Sequence, residues 1–193
     1  MRAPRLVTSL SAVLLGLLAM LASAATASTS AVPPLSGQWH RLSVDRSHPA
    51  PEHEVLRCVE TSDTPSPWLC RYRKAPEPAL NLTWNNNFGV LTGDDVTSTW
   101  ACPGWFAAEI CANTLQVVEG VMTFTDPDTH QPPFAVLVDL VVVQTAGGER
   151  LYDYWVGRFV CPWFRSFDEA LAANPIALPF DGNFPPQDCV GAP

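Results

Sequence analysis

Asp139, Tyr154 and Arg158 are a carboxylate, a phenol and a guanidinium within twenty residues of one another. Together they form an acceptor, a two-way hydroxyl and a fork of donors, a set suited to orienting the polar end of a ligand. Residues 134–143 (FAVLVDLVVV) are rich in β-branched side chains, which lose rotamer freedom in a helix but pack well on a pleated surface. Residues 151–160 (LYDYWVGRFV) return with aromatic strand chemistry, and Gly147-Gly148 between them suits the positive φ of a tight hairpin. With these two glycines as the loop, Ala146 faces Glu149 and Asp139 faces Val156. Tyr154 and Arg158 then become diagonal neighbours of Asp139, with Tyr152 on the same face. A loop one residue longer would move every pairing by one and separate Asp139 from Arg158.

A second candidate is the stretch from Thr99 to Cys111, closed by Cys102 and Cys111, which carries Trp100, Trp105 and Phe106. Rings held in a constrained loop can stack on a sugar or an apolar ligand, and equally can cap a barrel. Asp139 with Glu119 is a third, since two acids on adjacent strands can stand at glycosidase separation; a salt bridge is their commoner fate. Beyond these, the enzymatic signatures are missing. There is no Gly-x-Ser-x-Gly elbow, no His-Glu-x-x-His, no phosphate-cradling loop and no dinucleotide fingerprint. His40, His48, His53 and His130 mostly fall in loop-like or Pro-flanked contexts, and Asp94, Asp95, Asp126 and Asp128 lack calcium-loop spacing. No cofactor and no metal site is expected, and an enzyme is the least favoured class.

The elements that position these residues are strands. The face of 134–143 opposite Asp139 carries Phe134, Val136, Val138, Leu140 and Val142, beside Leu151, Trp155 and Phe159. Two largely apolar faces require covering on both sides, which a sandwich or a barrel provides. Further strand-like runs begin near Leu35, His53, Trp68, Leu80, Phe88 and Leu115, so the expected fold is all-β and mainly antiparallel. It has about seven to eight strands and one short C-terminal helix. Gly93-Asp94-Asp95 reads as a turn.

Residues 1–24 read as a signal peptide: Arg2 and Arg5, an apolar run from Leu6 to Ala22, then the small-residue site Ala22-Ser23-Ala24. Residues 25–34 form a flexible segment, and 35–193 a single disulfide-stabilised β domain with a Pro-rich tail. No later stretch is long enough to span a bilayer. Cleavage removes two arginines and no acid, leaving 9 basic residues against 19 acidic ones and a net charge of −10. That balance disfavours nucleic acid as a partner, because binding it rests on neutralising phosphates. The expected location is outside the cytoplasm, extracellular or in the cell envelope. All six cysteines survive cleavage and three bridges are expected; six cysteines allow 15 connectivities among which sequence does not choose, and the spacing suggests sequential neighbours, Cys58 with Cys70, Cys102 with Cys111, Cys161 with Cys189. If Cys58 opposes Cys70, Arg57 opposes Arg71 with Arg73 close by. A solvated face is the bland reading of that like-charged pair, and an anionic ligand group the sharp one.

Gly37-x-Trp39, at the start of an exported antiparallel chain, resembles the opening of the calycins, the lipocalin and avidin-like barrels. The resemblance implies that Trp39 plugs the closed end of a barrel, covered by an arginine late in the chain beside a C-terminal helix. Arg158 and Arg165 are the candidates, because both precede 166–175, where Ser166 and Glu169 form a capping box and Pro175 follows the stop. The second lipocalin signature, Thr-Asp-Tyr, has only Tyr152-Asp153-Tyr154 as a loose counterpart. The expected function is a small apolar or mixed ligand held in the lumen by Asp139, Tyr152, Tyr154 and Arg158. The alternatives are a carbohydrate- or protein-binding module using Trp100, Trp105 and Phe106, and a carboxylate-based hydrolase.

Overall fold

The computed structural model describes residues 32–44, 52–62, 67–76, 89–125, 132–155, 161–173 and 176–177. The expected signal peptide, the 80–88 run, Arg158, Cys189 and the Pro-rich tail lie outside the described residues. Eight strands follow one another as antiparallel neighbours: β1 (Gly37–Val44), β2 (Glu52–Glu60), β3 (Trp68–Pro76), β4 (Gly89–Asp95), β5 (Thr114–Phe124), β6 (Phe134–Thr145), β7 (Gly148–Tyr154) and β8 (Pro162–Phe164). β8 returns to β1 at His40 opposite Phe164, and β1 also pairs with β2 from Gly37 opposite Cys58 to Ser43 opposite Glu52. The sheet therefore closes on itself. Of the two architectures left open by the sequence, this is the barrel, which leaves few strand edges unpaired.

Among the described residues two short helices accompany the strands: α1 (Ala108–Ala112) between β4 and β5, and α2 (Phe167–Ala172) after β8. The hydroxyl of Ser166 accepts from the Glu169 backbone N–H at 3.2 Å, the cap expected for α2. A last strand, β9 (Ile176–Ala177), lies parallel to the end of β1.

The hairpin between β6 and β7 differs from expectation by two residues. Thr145 pairs with Gly148, so the loop is Ala146-Gly147 and Asp139 stands directly opposite Tyr154. The loop is held there by its own polar groups. Thr145 Oγ1 donates to the Gly148 carbonyl at 2.7 Å, Arg150 donates to the Gly147 carbonyl at 2.8 Å, and Gly148 takes the positive φ of 104°. Because side chains alternate with period two, a shift of two leaves every residue on its expected face.

A second correction concerns Gly93-Asp94-Asp95, which is strand, not turn. Gly93 faces Gly120 across the β4–β5 pair, and a Cβ on either would come within 2.5 Å of the opposite backbone. Only two glycines allow the strands to approach so closely at this corner of the barrel.

Inside the barrel, Leu35, Trp39, Leu56, Trp68, Leu91, Val118, Leu140, Leu151 and Trp163 form the main core. Cys58 and Cys70 are directly opposed on β2 and β3 and joined by a disulfide; Cys102 and Cys111 close the connection between β4 and β5. Cys161 is disulfide-bonded as well, and none of the described cysteines is free. No helix among the described residues is long and apolar enough to cross a membrane.

Candidate functional site

Strand alternation sorts every side chain of β6 and β7 to one of two surroundings. Val138, Leu140, Val142 and Leu151 point into the lumen, whereas Val141, Val143 and Tyr152 belong to a separate outer cluster. Asp139 and Tyr154 share the parity of that outer cluster. The expectation that they orient a ligand in the lumen is therefore corrected: both stand on the outside of the barrel, beneath the loop closed by Cys102–Cys111.

The loop covers them with its aromatic rings. Trp100 donates through Nε1 to Asp139 at 3.3 Å, and Trp105 lies 4.7 Å from the Tyr154 ring and 4.5 Å from Phe106. Asp139 also faces Glu119 directly across the β5–β6 pair. Burial pushes the Asp139 carboxyl above its ordinary pKa, the Glu119 charge adds to the rise, and the Trp100 N–H opposes it. Tyr152, Tyr154, Trp100, Trp105 and Asp139 thus do converge. What they build is a cover over Val117, Val141 and Val143, with rings turned onto one another and no open coplanar platform.

The lumen holds a different polar set, on residues that motif reading passed over. Trp39 points inward, so Arg41 and Ser43 on the same strand do too, at positions where an apolar side chain would be the default. Arg41 donates to Glu54 through Nε at 2.7 Å and approaches it through Nη2 at 2.6 Å; its Nη1 reaches Asp153 at 3.0 Å. Its guanidinium lies 4.1 Å from the centre of the Trp163 ring. Ser43 donates to Glu54 at 2.7 Å, Tyr72 hydrogen-bonds Glu54, and Trp163 and Trp155 donate to Asp153 at 2.9 and 3.3 Å.

Burial opposes charge on Arg41, but the two carboxylates outweigh it and hold the guanidinium pKa above its ordinary value. The Tyr72 hydroxyl is pushed well above its ordinary value by burial and by the neighbouring Glu54. It stays neutral and can donate. One cation serves two acids here, and both acids accept further hydrogen bonds from neutral side chains, the condition under which buried charge is tolerated.

The two ends of the lumen differ. At one end Leu35, Trp39, Trp68 and the Cys58–Cys70 bridge are at most 1% exposed. Trp39 donates to the Leu35 carbonyl at 3.0 Å, and the Arg165 guanidinium stacks 3.7 Å above its ring. Arg165 also donates to the Pro34 and Ser36 carbonyls and pairs with Glu149. At the other end Phe124 stacks between Phe134, at 5.0 Å, and Trp155, at 5.2 Å. Phe134 is 57% exposed, and Tyr72, Phe124, Val136 and Trp155 are only partly buried. Trp155 joins the two systems, because its ring belongs to the stack while its N–H donates to Asp153.

No group of three or more His, Cys, Asp or Glu side chains among the described residues is placed to hold a metal ion. Comparisons with protein-family models, with curated proteins and with solved structures find no match to this chain.

Proposed function

We propose that the chain is an exported, calycin-like barrel that binds a small apolar or mixed ligand at the Phe134 end of its lumen. The observation that carries this reading is the asymmetry along the barrel axis. One end is filled by tryptophans and sealed by a disulfide, while the other presents a half-exposed aromatic slab, Phe134–Phe124–Trp155, above a buried ion cluster. An apolar ligand body gains by covering such rings, at roughly 25 cal/mol for each Å² of apolar surface removed from water. Asp153 and Tyr72, rather than Asp139 and Tyr154, orient the ligand's polar group.

Several features support kinship with calycins: the closed eight-strand meander, Trp39 beneath Arg165, and a helix followed by a strand beside β1. Export is supported by the leader-like residues 1–24 and by disulfides, which persist in oxidising compartments.

The test is a titration of the disulfide-intact chain with the neutral probe N-phenyl-1-naphthylamine, followed by tryptophan quenching and probe fluorescence. The expected result is saturable binding of one equivalent that Val136→Trp, which fills the slab's face, abolishes without lowering the melting temperature. A response that never saturates, or that survives in Val136→Trp, would overturn the reading.

A further inference from the structure

The outer side of β7 and β8, beside α2, carries an independent feature. Arg150 stands opposite Phe164 and Tyr152 opposite Pro162, so strand alternation puts all four side chains on this side of the barrel. With Glu169 of α2 and Ala173 at its end they line a recess of about 500 Å³. A space of that size suits a small organic molecule.

Two opposite charges border the recess without meeting. The Arg150 guanidinium sits over the Phe164 ring, 4.6 Å from its centre, and donates through Nη1 to the Glu149 carbonyl and through Nη2 to the Gly147 carbonyl, each at 2.8 Å. These partners fix the guanidinium in place and leave its charge uncancelled. Glu169 approaches from the helix, where its backbone N–H donates to Ser166 at 3.2 Å. Its carboxylate Oε2 is buried and accepts no hydrogen bond. Both charged groups converge on the hairpin turn: Arg150 Nη1 lies 3.5 Å, and Glu169 Oε1 3.9 Å, from the point where a Cβ on Gly148 would stand. No ion pair among the described residues joins them.

A buried carboxylate oxygen without a donor has given up water and gained nothing in exchange, which is an unfavourable state for the empty protein. We infer that the recess binds a small zwitterion, an α-amino acid with an apolar side chain. Its ammonium donates to Glu169 Oε2, its carboxylate faces the Arg150 guanidinium, and its side chain lies against Tyr152, Pro162 and Ala173. Nη1 and Nη2 of Arg150 are each engaged by one carbonyl, so N–H groups remain for a carboxylate. An amine alone meets the repulsion of Arg150, and a carboxylate alone that of Glu169. A molecule that carries both charges answers both. The site lies outside the lumen and uses none of its residues, so it stands or falls apart from the proposed function.

The experiment titrates the isotope-labelled, disulfide-intact chain with L-phenylalanine, following the backbone N–H signals of Gly148 and Glu169 by NMR. Phenethylamine, which lacks the carboxylate, and hydrocinnamate, which lacks the ammonium, run in parallel. Saturable single-site shifts with L-phenylalanine are expected, with each analogue at least tenfold weaker. Glu169→Gln keeps the shape of the side chain and should weaken L-phenylalanine at least tenfold without lowering the melting temperature. Arg150→Gln should weaken it as much, and Val136→Trp, in the lumen, should leave it unchanged. Shifts that do not saturate, that persist in Glu169→Gln, or that either analogue produces at equal strength would overturn the assignment. So would a fall in the melting temperature of Glu169→Gln, which would show that the carboxylate serves the fold.

Discussion

The two ends of the barrel are built from the same strands and the same alternation, yet they put aromatic side chains to opposite uses. At the sealed end Trp39 and Trp68 are buried, the Trp39 indole N–H donates to the Leu35 carbonyl, the Leu35 N–H donates to Gln116, and the Ser36 carbonyl accepts from Arg165. At the far end Phe134, Phe124 and Trp155 stack on one another while retaining exposed surface. Rings surrounded on all sides stabilise the fold. Rings stacked in a row with an exposed face leave apolar surface in contact with water. The Arg41 cluster sits between the two regimes and belongs to both.

The largest effect expected is that of Trp39→Ala, which removes the plug, the hydrogen bond to Leu35 and the surface beneath Arg165. It should cost about 4 to 5 kcal/mol in urea unfolding with disulfides intact. A loss below about 1 kcal/mol would show that the sealed end is not the anchor of the fold. Next comes Arg41→Met, which strips Glu54 and Asp153 of their shared cation and should cost about 3 to 4 kcal/mol. Neutralising both acids in the same chain, with Glu54→Gln and Asp153→Asn, should restore much of that loss; no restoration would mean Arg41 acts by packing alone.

A pH effect follows in size. His40 and His53 lie 3.1 Å apart on the outside of β1 and β2, with the Phe167 ring of α2 at 4.5 Å from His53. Burial, reinforced by the His53 charge, lowers His40 to about 4. Burial lowers His53 as well, against the pull of Glu54. The unfolded chain thus takes up protons first. The pair's contribution is complete above the unfolded value of about 6.5 and is lost as pH falls towards 4. After discounting for partial exposure the loss should be on the order of 1 to 2 kcal/mol, and His40→Gln should flatten unfolding midpoints across pH 7 to 4.5. The smallest change in stability belongs to Phe134→Ala at the open end, within about 0.5 kcal/mol. The same substitution should weaken the naphthylamine probe about fivefold, and a stability loss as large as that of Trp39→Ala would erase the contrast between the ends.

Much of the scaffold was legible because period-two patterning and cysteine placement are local. The β6–β7 hairpin kept its two faces even though its loop sits one position earlier, at Ala146-Gly147, since a shift of two preserves parity. Asp153 was legible in principle, having the inward parity of Leu151 and Trp155, and Arg41 likewise from Trp39. Both were passed over because a charge on an otherwise apolar face is no motif. Which outer residues a distant loop would cover was not legible at all: Asp139 meets Trp100 across 39 positions of chain.

The chain's own order of residues was enough to establish an all-β, disulfide-bearing domain, its strand alternation and the opposed arginines beside Cys58 and Cys70, because each depends on neighbours a few positions apart. Closure decided the rest. Only when β8 returned to β1 did one side of each strand become an interior, and that single event made Asp153, Glu54 and Arg41 the polar heart of the lumen and left Asp139 and Tyr154 outside it.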